Sequence, residues 1–222
     1  RQLVAVFTNV IFDTSQIHAN THFETMFDWL DDLGAVIRAH PDTLFVVRAH
    51  PDEDRPGKQS EQSVAEWVAR SGLNRLDNVV FYGPSEYVTS YELIRRAKFV
   101  MVYNSTIGLE ASILGAPVLC AGRARYTQGR TVFSPDSRDD YRRRLDAFLS
   151  RKSIAVPPAH ARQARVFLYD ELYRASLDLS EFLESYPGAP GMVTLKAFDP
   201  ARLAENEALG VIVRGIRDGV SF

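Results

Sequence analysis

A single cysteine, Cys120, rules out an internal disulfide. No Cys/His pair stands at metal-ligand spacing, which excludes the common zinc modules, and a reducing, cytoplasmic compartment is the expectation. Cys120 itself reads as a small core filler rather than a reactive thiol. Long apolar runs are missing too. None approaches the roughly 18 to 20 residues that span a bilayer, and the start has no basic and apolar leader, so neither a transmembrane segment nor export is expected. Charge of one sign is also lacking: 26 Lys plus Arg against 28 Asp plus Glu give −2. Such a balance offers no general attraction for nucleic acid, so an anionic ligand needs a local site.

What is present is a chain of 222 residues, 45% apolar and 24% charged, enough for one good-sized core or two small ones. It begins with Arg rather than Met, at the edge of a strand-like run, and so reads as a piece of a longer chain. Residues 2–8, QLVAVFT, predict a buried strand. Residues 21–40 carry Phe23, Met26, Phe27, Leu30, Leu33, Val36 and Ile37 at helical spacing, with acids early and Arg38 and His40 late, and Pro41 stops the helix. TLFVVRAH, NVVFYG, FVMVYN and PVLCAG predict further strands, with helices at SVAEWVARSG, SYELIRRA and STIGLEASILG between them.

This alternation predicts an α/β fold, an open parallel sheet of about five to six strands with helices on both faces. Residues 137–150 read as a basic amphipathic helix. Residues 157–183 read as a longer helical stretch, and the tail as turn formers with one more helical segment and a strand at GVIVRGI. The division expected is a Rossmann-like domain over 1–155 and a helical extension over 156–222 that packs on it.

The pentapeptide Arg-Ala-His-Pro-Asp occurs at 38–42 and again at 48–52. The echo does not continue, so it is no structural repeat. His40 falls at a helix exit, a C-cap position. His50 falls at the carboxyl end of a parallel strand, where ligands of open α/β sheets bind. A His-Pro turn there fixes the tilt of an imidazole, which suits donation to a phosphate oxygen or protonation of a leaving group; the alternative is a satisfied structural histidine.

The stretch VYNSTIGLEASILGAPVLCAGRARY, residues 102–126, delivers Asn104, Ser105 and Thr106 from a strand into the first turn of a helix. Hydroxyls and open backbone amides would converge there, a geometry that binds phosphate. Gly108 removes a side chain where a ligand or a neighbouring strand comes close. Glu110, one turn on, can accept from both hydroxyls of a ribose. The plainer alternative makes Ser105 or Thr106 an N-cap and Glu110 a solvated helix residue. Arg123 and Arg125 would neutralise a diphosphate or a carboxylated sugar, or else are surface charge. Asn9 and Asp13, in the loop after the first strand, would face the same crevice, or be a turn residue and a helix cap.

NSTIGLEASILGAPVLCAGRARY, taken with RAHPDE and FTNVIFD, resembles the capsule polysaccharide biosynthesis group of glycosyltransferase-like proteins over about residues 3 to 150. The His-Pro pair is similar to that of bacterial transferases using CMP-activated sugars such as Kdo. The resemblance implies the C-terminal, donor-binding half of a GT-B fold. It implies that His50 meets the donor phosphate or leaving group, that Ser105 and Thr106 cradle phosphate, and that Glu110 holds the ribose. Thr89, Ser90 and Tyr91 would line the nucleotide side. The catalytic assignments are thus His50 and Asp13. The donor-binding set is Asn9, His50, Ser90, Asn104, Ser105, Thr106, Gly108, Glu110, Arg123 and Arg125, with neither a metal nor a cofactor expected.

The partners expected are a CMP- or UDP-linked sugar and, through an N-terminal domain not in this sequence, a polysaccharide or glycolipid acceptor. That places the chain in the cytoplasm, peripheral at the inner membrane face, and makes it inactive alone. The alternatives are a non-catalytic nucleotide or sugar-phosphate binding module and a relative of UDP-sugar epimerases.

Overall fold

The computed structural model describes residues 1–11, 18–54, 62–188 and 191–219. The chain divides into two compact units, Arg1–Val166 and Phe167–Phe222.

In the first unit the five apolar runs become β1 (Gln2–Phe7), β2 (Thr43–Arg48), β3 (Val79–Tyr82), β4 (Phe99–Val102) and β5 (Val118–Cys120). They form one parallel sheet in the order β3-β2-β1-β4-β5. The path runs outward from β1 through β2 to β3 and then crosses back to β4 on the other side of β1. The order therefore reverses between β1 and β4, and their carboxyl ends diverge to leave a crevice.

Successive strand side chains point to opposite faces. Val4, Val6, Phe45, Val47, Phe99 and Met101 share a cluster with Trp29 and Leu33 of α1 (Met26–Ala39), Trp67 of α2 (Val64–Ser71) and Phe148 of α5 (Arg138–Ser150). Their neighbours Ala5, Val46, Val100 and Val102 are buried on the other face. There α3 (Ser90–Arg96) packs on β1, and α4 (Ile107–Ile113) on β4 and β5. Burial on both faces is why these strands read as unbroken apolar runs rather than as alternations.

The helices start and stop where local chemistry requires. Thr25 Oγ1 accepts from the Asp28 amide, so α1 begins at Met26, five residues later than the periodicity suggested. His40 is its C-cap residue, with Pro41 behind it. Ser63 and Glu66 form a reciprocal capping box on α2, and Gly72 ends that helix at φ 70°, a left-handed conformation that favours glycine.

The C-terminal half differs from expectation in two places. The helix expected over residues 157–183 ends early: α6 (Pro158–Tyr169) passes into one π-helical turn, Asp170–Arg174. The wider turn disrupts the regular ladder, and the chain continues instead into a short antiparallel ribbon, β6 (Leu183–Ser185) with β7 (Val193–Leu195). The strand expected at GVIVRGI is instead part of α7 (Glu207–Asp218). Asn206 Oδ1 accepts from the Leu209 amide at 3.0 Å, and Gly219 closes the helix at φ 65°. These two caps outweigh the β-branched content of the run.

Candidate functional site

The site grows out of the three adjacent strand ends of β2, β1 and β4. At the tip of β1, the amide and the hydroxyl of Thr8 both donate to the Arg48 carbonyl, at 3.2 and 3.3 Å, and hold the tips of β1 and β2 side by side. On the other side, the Asn104 amide donates to Asn9 Oδ1 at 3.3 Å and ties the tip of β4 to the loop after β1. Asn9 thus bridges the switch point through its side chain.

Beyond β2 the chain turns through Pro51–Asp54, and the Asp52 amide donates to His50 Nδ1 at 3.1 Å. A backbone amide is a donor only, so it meets the ring's lone pair, and the neutral imidazole carries its proton on Nε2. Glu53 anchors the same turn: its amide donates to the His50 carbonyl at 3.0 Å, and its Oε1 accepts from the Val64 amide at the start of α2. Burial pushes the Glu53 carboxyl above its ordinary value, the Val64 amide opposing.

Beyond β4, Thr106 flanks α4 as its cap residue, yet its hydroxyl makes no capping hydrogen bond. The amide geometry differs from expectation. The Gly108 amide donates to the Ser105 carbonyl, and those of Leu109 and Glu110 donate to the Thr106 carbonyl, so these are committed within the turn. A short helix of this kind tightens its first turn with such bonds. Tyr126 secures the turn from behind, its hydroxyl donating to the Ser105 carbonyl at 2.6 Å. This explains Gly108: a Cβ there would stand 2.5 Å from Tyr126 Oη and 3.0 Å from Val102 Cγ2. Its missing side chain makes room for a tyrosine and the neighbouring strand rather than for the cleft.

The resulting cleft, about 480 Å³ and partly open to solvent, is lined by Thr8, Arg48, His50, Ser90, Ser105, Thr106 and Glu110 together with Phe7, Ala49, Pro51 and Ile107. Five of the sequence candidates, His50, Ser90, Ser105, Thr106 and Glu110, therefore share one wall-to-wall space. Asn9 and Asn104 do not line it, and are joined to each other at the strand tips by their mutual bond. Gly108 faces away, as above. Arg123 and Arg125 are exposed at the end of β5 and do not line the cleft. Asp13 lies outside the described residues.

Two residues, Arg48 and Tyr126, go beyond the sequence candidates, and Tyr91, expected only to line the nucleotide side, makes a contact the sequence did not suggest. Arg48 is buried with its Nη1 donating to the Glu86 carbonyl at 3.1 Å, and it lines the cleft beside His50. It is the first residue of the repeated pentapeptide, which was the available signal. Tyr91 donates to Glu110 Oε2 at 2.5 Å; no sequence signal links two residues on separate helices. Tyr126 had only its place at the end of the conspicuous run. Among the described residues no group of His, Cys, Asp and Glu is placed to hold a metal ion. Among the described residues no helix is long and apolar enough to cross a membrane.

Fold and cleft together define a Rossmann-like parallel α/β domain with a crevice at the strand-order reversal. The chain belongs to the capsule polysaccharide biosynthesis protein family, whose model matches residues 1–134. Comparison with curated proteins gives no match. Among solved structures, the chain is similar to Thermosulfurimonas dismutans KpsC, a beta Kdo 2,7 transferase, at 21% identity and a TM-score of 0.44, covering 74% of this chain and 44% of that one. It is also similar to S. aureus MnaA, solved with UDP, at 13% identity and a TM-score of 0.45, covering 79% and 46%. A third is the Methanocaldococcus jannaschii UDP-GlcNAc 2-epimerase, solved with UDP-GlcNAc and UDP, at 12% identity and 0.45, covering 76% and 45%. The chain spans less than half the length of each of these structures.

Proposed function

We propose that this chain is the donor-binding half of a GT-B-type glycosyltransferase of capsule or surface polysaccharide synthesis, with the nucleotide-sugar domain over residues 1–155. Family membership supports the process. The observation that carries the reading is the convergence of His50, Ser105, Thr106 and Glu110 on one cleft at the switch point.

In this reading the CMP- or UDP-linked phosphate lodges between the β2 tip and the first turn of α4. His50 donates from Nε2, because the Asp52 amide occupies Nδ1. That geometry suits a hydrogen-bond donor to phosphate oxygen better than delivery of a proton to the leaving group. Ser105 and Thr106 add hydroxyl donors, and their role is to stabilise charge as the phosphate departs. Glu110 accepts from the ribose. The acceptor, a polysaccharide or glycolipid, and the catalytic base come from a further domain, in the cytoplasm, so the chain alone binds donor without turning it over.

Calorimetric titration with CMP, UDP and GDP tests the reading. One nucleotide is expected to bind best, and Glu110→Ala to weaken it about tenfold, the scale of a lost hydrogen bond to a charged group. Equal, undetectable binding of all three nucleotides would reject the donor role.

A further inference from the structure

The Tyr91 phenol reaches across from the first turn of α3 to the Glu110 carboxylate on α4, Oη to Oε2 at 2.5 Å. The two residues are 19 positions apart, on helices that pack against each other, and Ser90 beside Tyr91 lines the cleft as Glu110 does. Yet Tyr91 is 47% exposed. Burial therefore does little to hold it, and the hydrogen bond to the carboxylate is its defining contact.

A glutamate at a cleft wall otherwise samples several rotamers, and fixing one on binding costs affinity. A phenol donor on one oxygen removes that cost beforehand. It also divides the carboxylate: Oε2 is engaged by Tyr91, and Oε1 keeps its lone pairs for a ligand hydroxyl. The bond is charge-assisted, hence stronger than a neutral one. The hydrogen bond to Glu110, followed by that carboxylate's charge, also raises the Tyr91 phenol above its ordinary value, so it stays a donor through the neutral range.

We infer that Tyr91 is a positioning residue that presets the Glu110 carboxylate to accept a ribose hydroxyl, so that discrimination for a sugar bearing its vicinal hydroxyls depends on the phenol. This rests on the ribose role proposed for Glu110. It sets Tyr91 apart from the lining residues: it acts through Glu110, and it acts only on ligands with hydroxyls there.

The test is calorimetric titration of the full chain and of Tyr91→Phe with CMP and UDP and with their 2′,3′-dideoxy counterparts. The parent is expected to prefer the ribonucleotide. Tyr91→Phe should weaken ribonucleotide binding roughly 3- to 10-fold, the cost of immobilising one side chain, while leaving the dideoxy affinity unchanged. Added to Glu110→Ala, which leaves the phenol no side-chain acceptor, it should produce no further loss. Ribonucleotide binding by Tyr91→Phe that equals or exceeds the parent's would overturn the inference, as would equal loss for both ligand types, which marks a packing role. A parent that does not distinguish ribo from dideoxy ligands, or binds neither, brings down the Glu110 reading itself and this inference with it. That outcome shows in the parent alone, so the two failures are separable.

Discussion

In Arg1–Val166 nearly every residue of β1, β4 and β5 is buried, and Trp29, Trp67 and Phe99 are fully enclosed. In Phe167–Phe222 the contrast is sharp. Among its described residues only Phe182 and Ala208 are buried hydrophobics, while Val193, Leu195 and Ile216 are 60, 67 and 78% exposed. A parallel sheet covered by helices on both faces can bury all its apolar side chains. A two-stranded ribbon and one amphipathic helix have too few layers to do so. The candidate cleft sits on the sheet unit, at the ends of strands locked by neighbours on both sides, where side chains can be held in register.

The largest effect expected from this contrast is in the sheet unit. Trp29 is fully buried and its Nε1 donates to Tyr141 Oη at 2.7 Å. Trp29→Ala should lower unfolding free energy by about 3–5 kcal/mol, read from urea denaturation. A smaller effect should come from the polar seam between α1 and α5. There Arg138 donates to both Asp28 and Asp32, and Arg142 to Asp32. Burial alone would raise the Asp32 carboxyl, but hydrogen bonds from Arg138 and Arg142 hold it below its ordinary value of 3.8. A depressed carboxylate stabilises the fold above that ordinary value and ceases to do so as pH falls through the lower, folded one. Asp32→Asn should therefore cost about 1 kcal/mol near neutrality, since Arg142 is half exposed, and the gap should close as pH drops below 3.8. The smallest effect belongs to the second unit, where Ile216→Ala should change stability by no more than about 0.5 kcal/mol. A large loss there would erase the contrast.

The same contrast governs what was legible in the amino-acid sequence. All five strands of the parallel sheet stand where continuous apolar runs placed them, because strands covered on both faces leave no polar alternation to misread. Strand order was not legible: that β1 lies between β2 and β4 is a matter of tertiary pairing, and it is this order that brings His50 beside Thr106. His40 and His50 sit in identical pentapeptides, and position in the fold, helix exit against strand tip, was the readable difference. The Tyr91 bond to Glu110 and the Tyr126 hydroxyl behind Gly108 join residues distant in the chain, so no local pattern announced them. In the tail, GVIVRGI carries β-branched residues that suggest a strand, and its helix follows from caps at Asn206 and Gly219 that lie outside the run.

The claim at the centre is that an anionic ligand group lies between the His50 ring and the Ser105–Thr106 turn. The measurement that reaches it most directly is the nucleotide affinity of His50→Ala beside that of the parent, with CMP or UDP, whichever the parent binds more tightly. A loss of about tenfold or more is predicted, the worth of a hydrogen bond to a charged oxygen. Affinity indistinguishable from the parent's would contradict it.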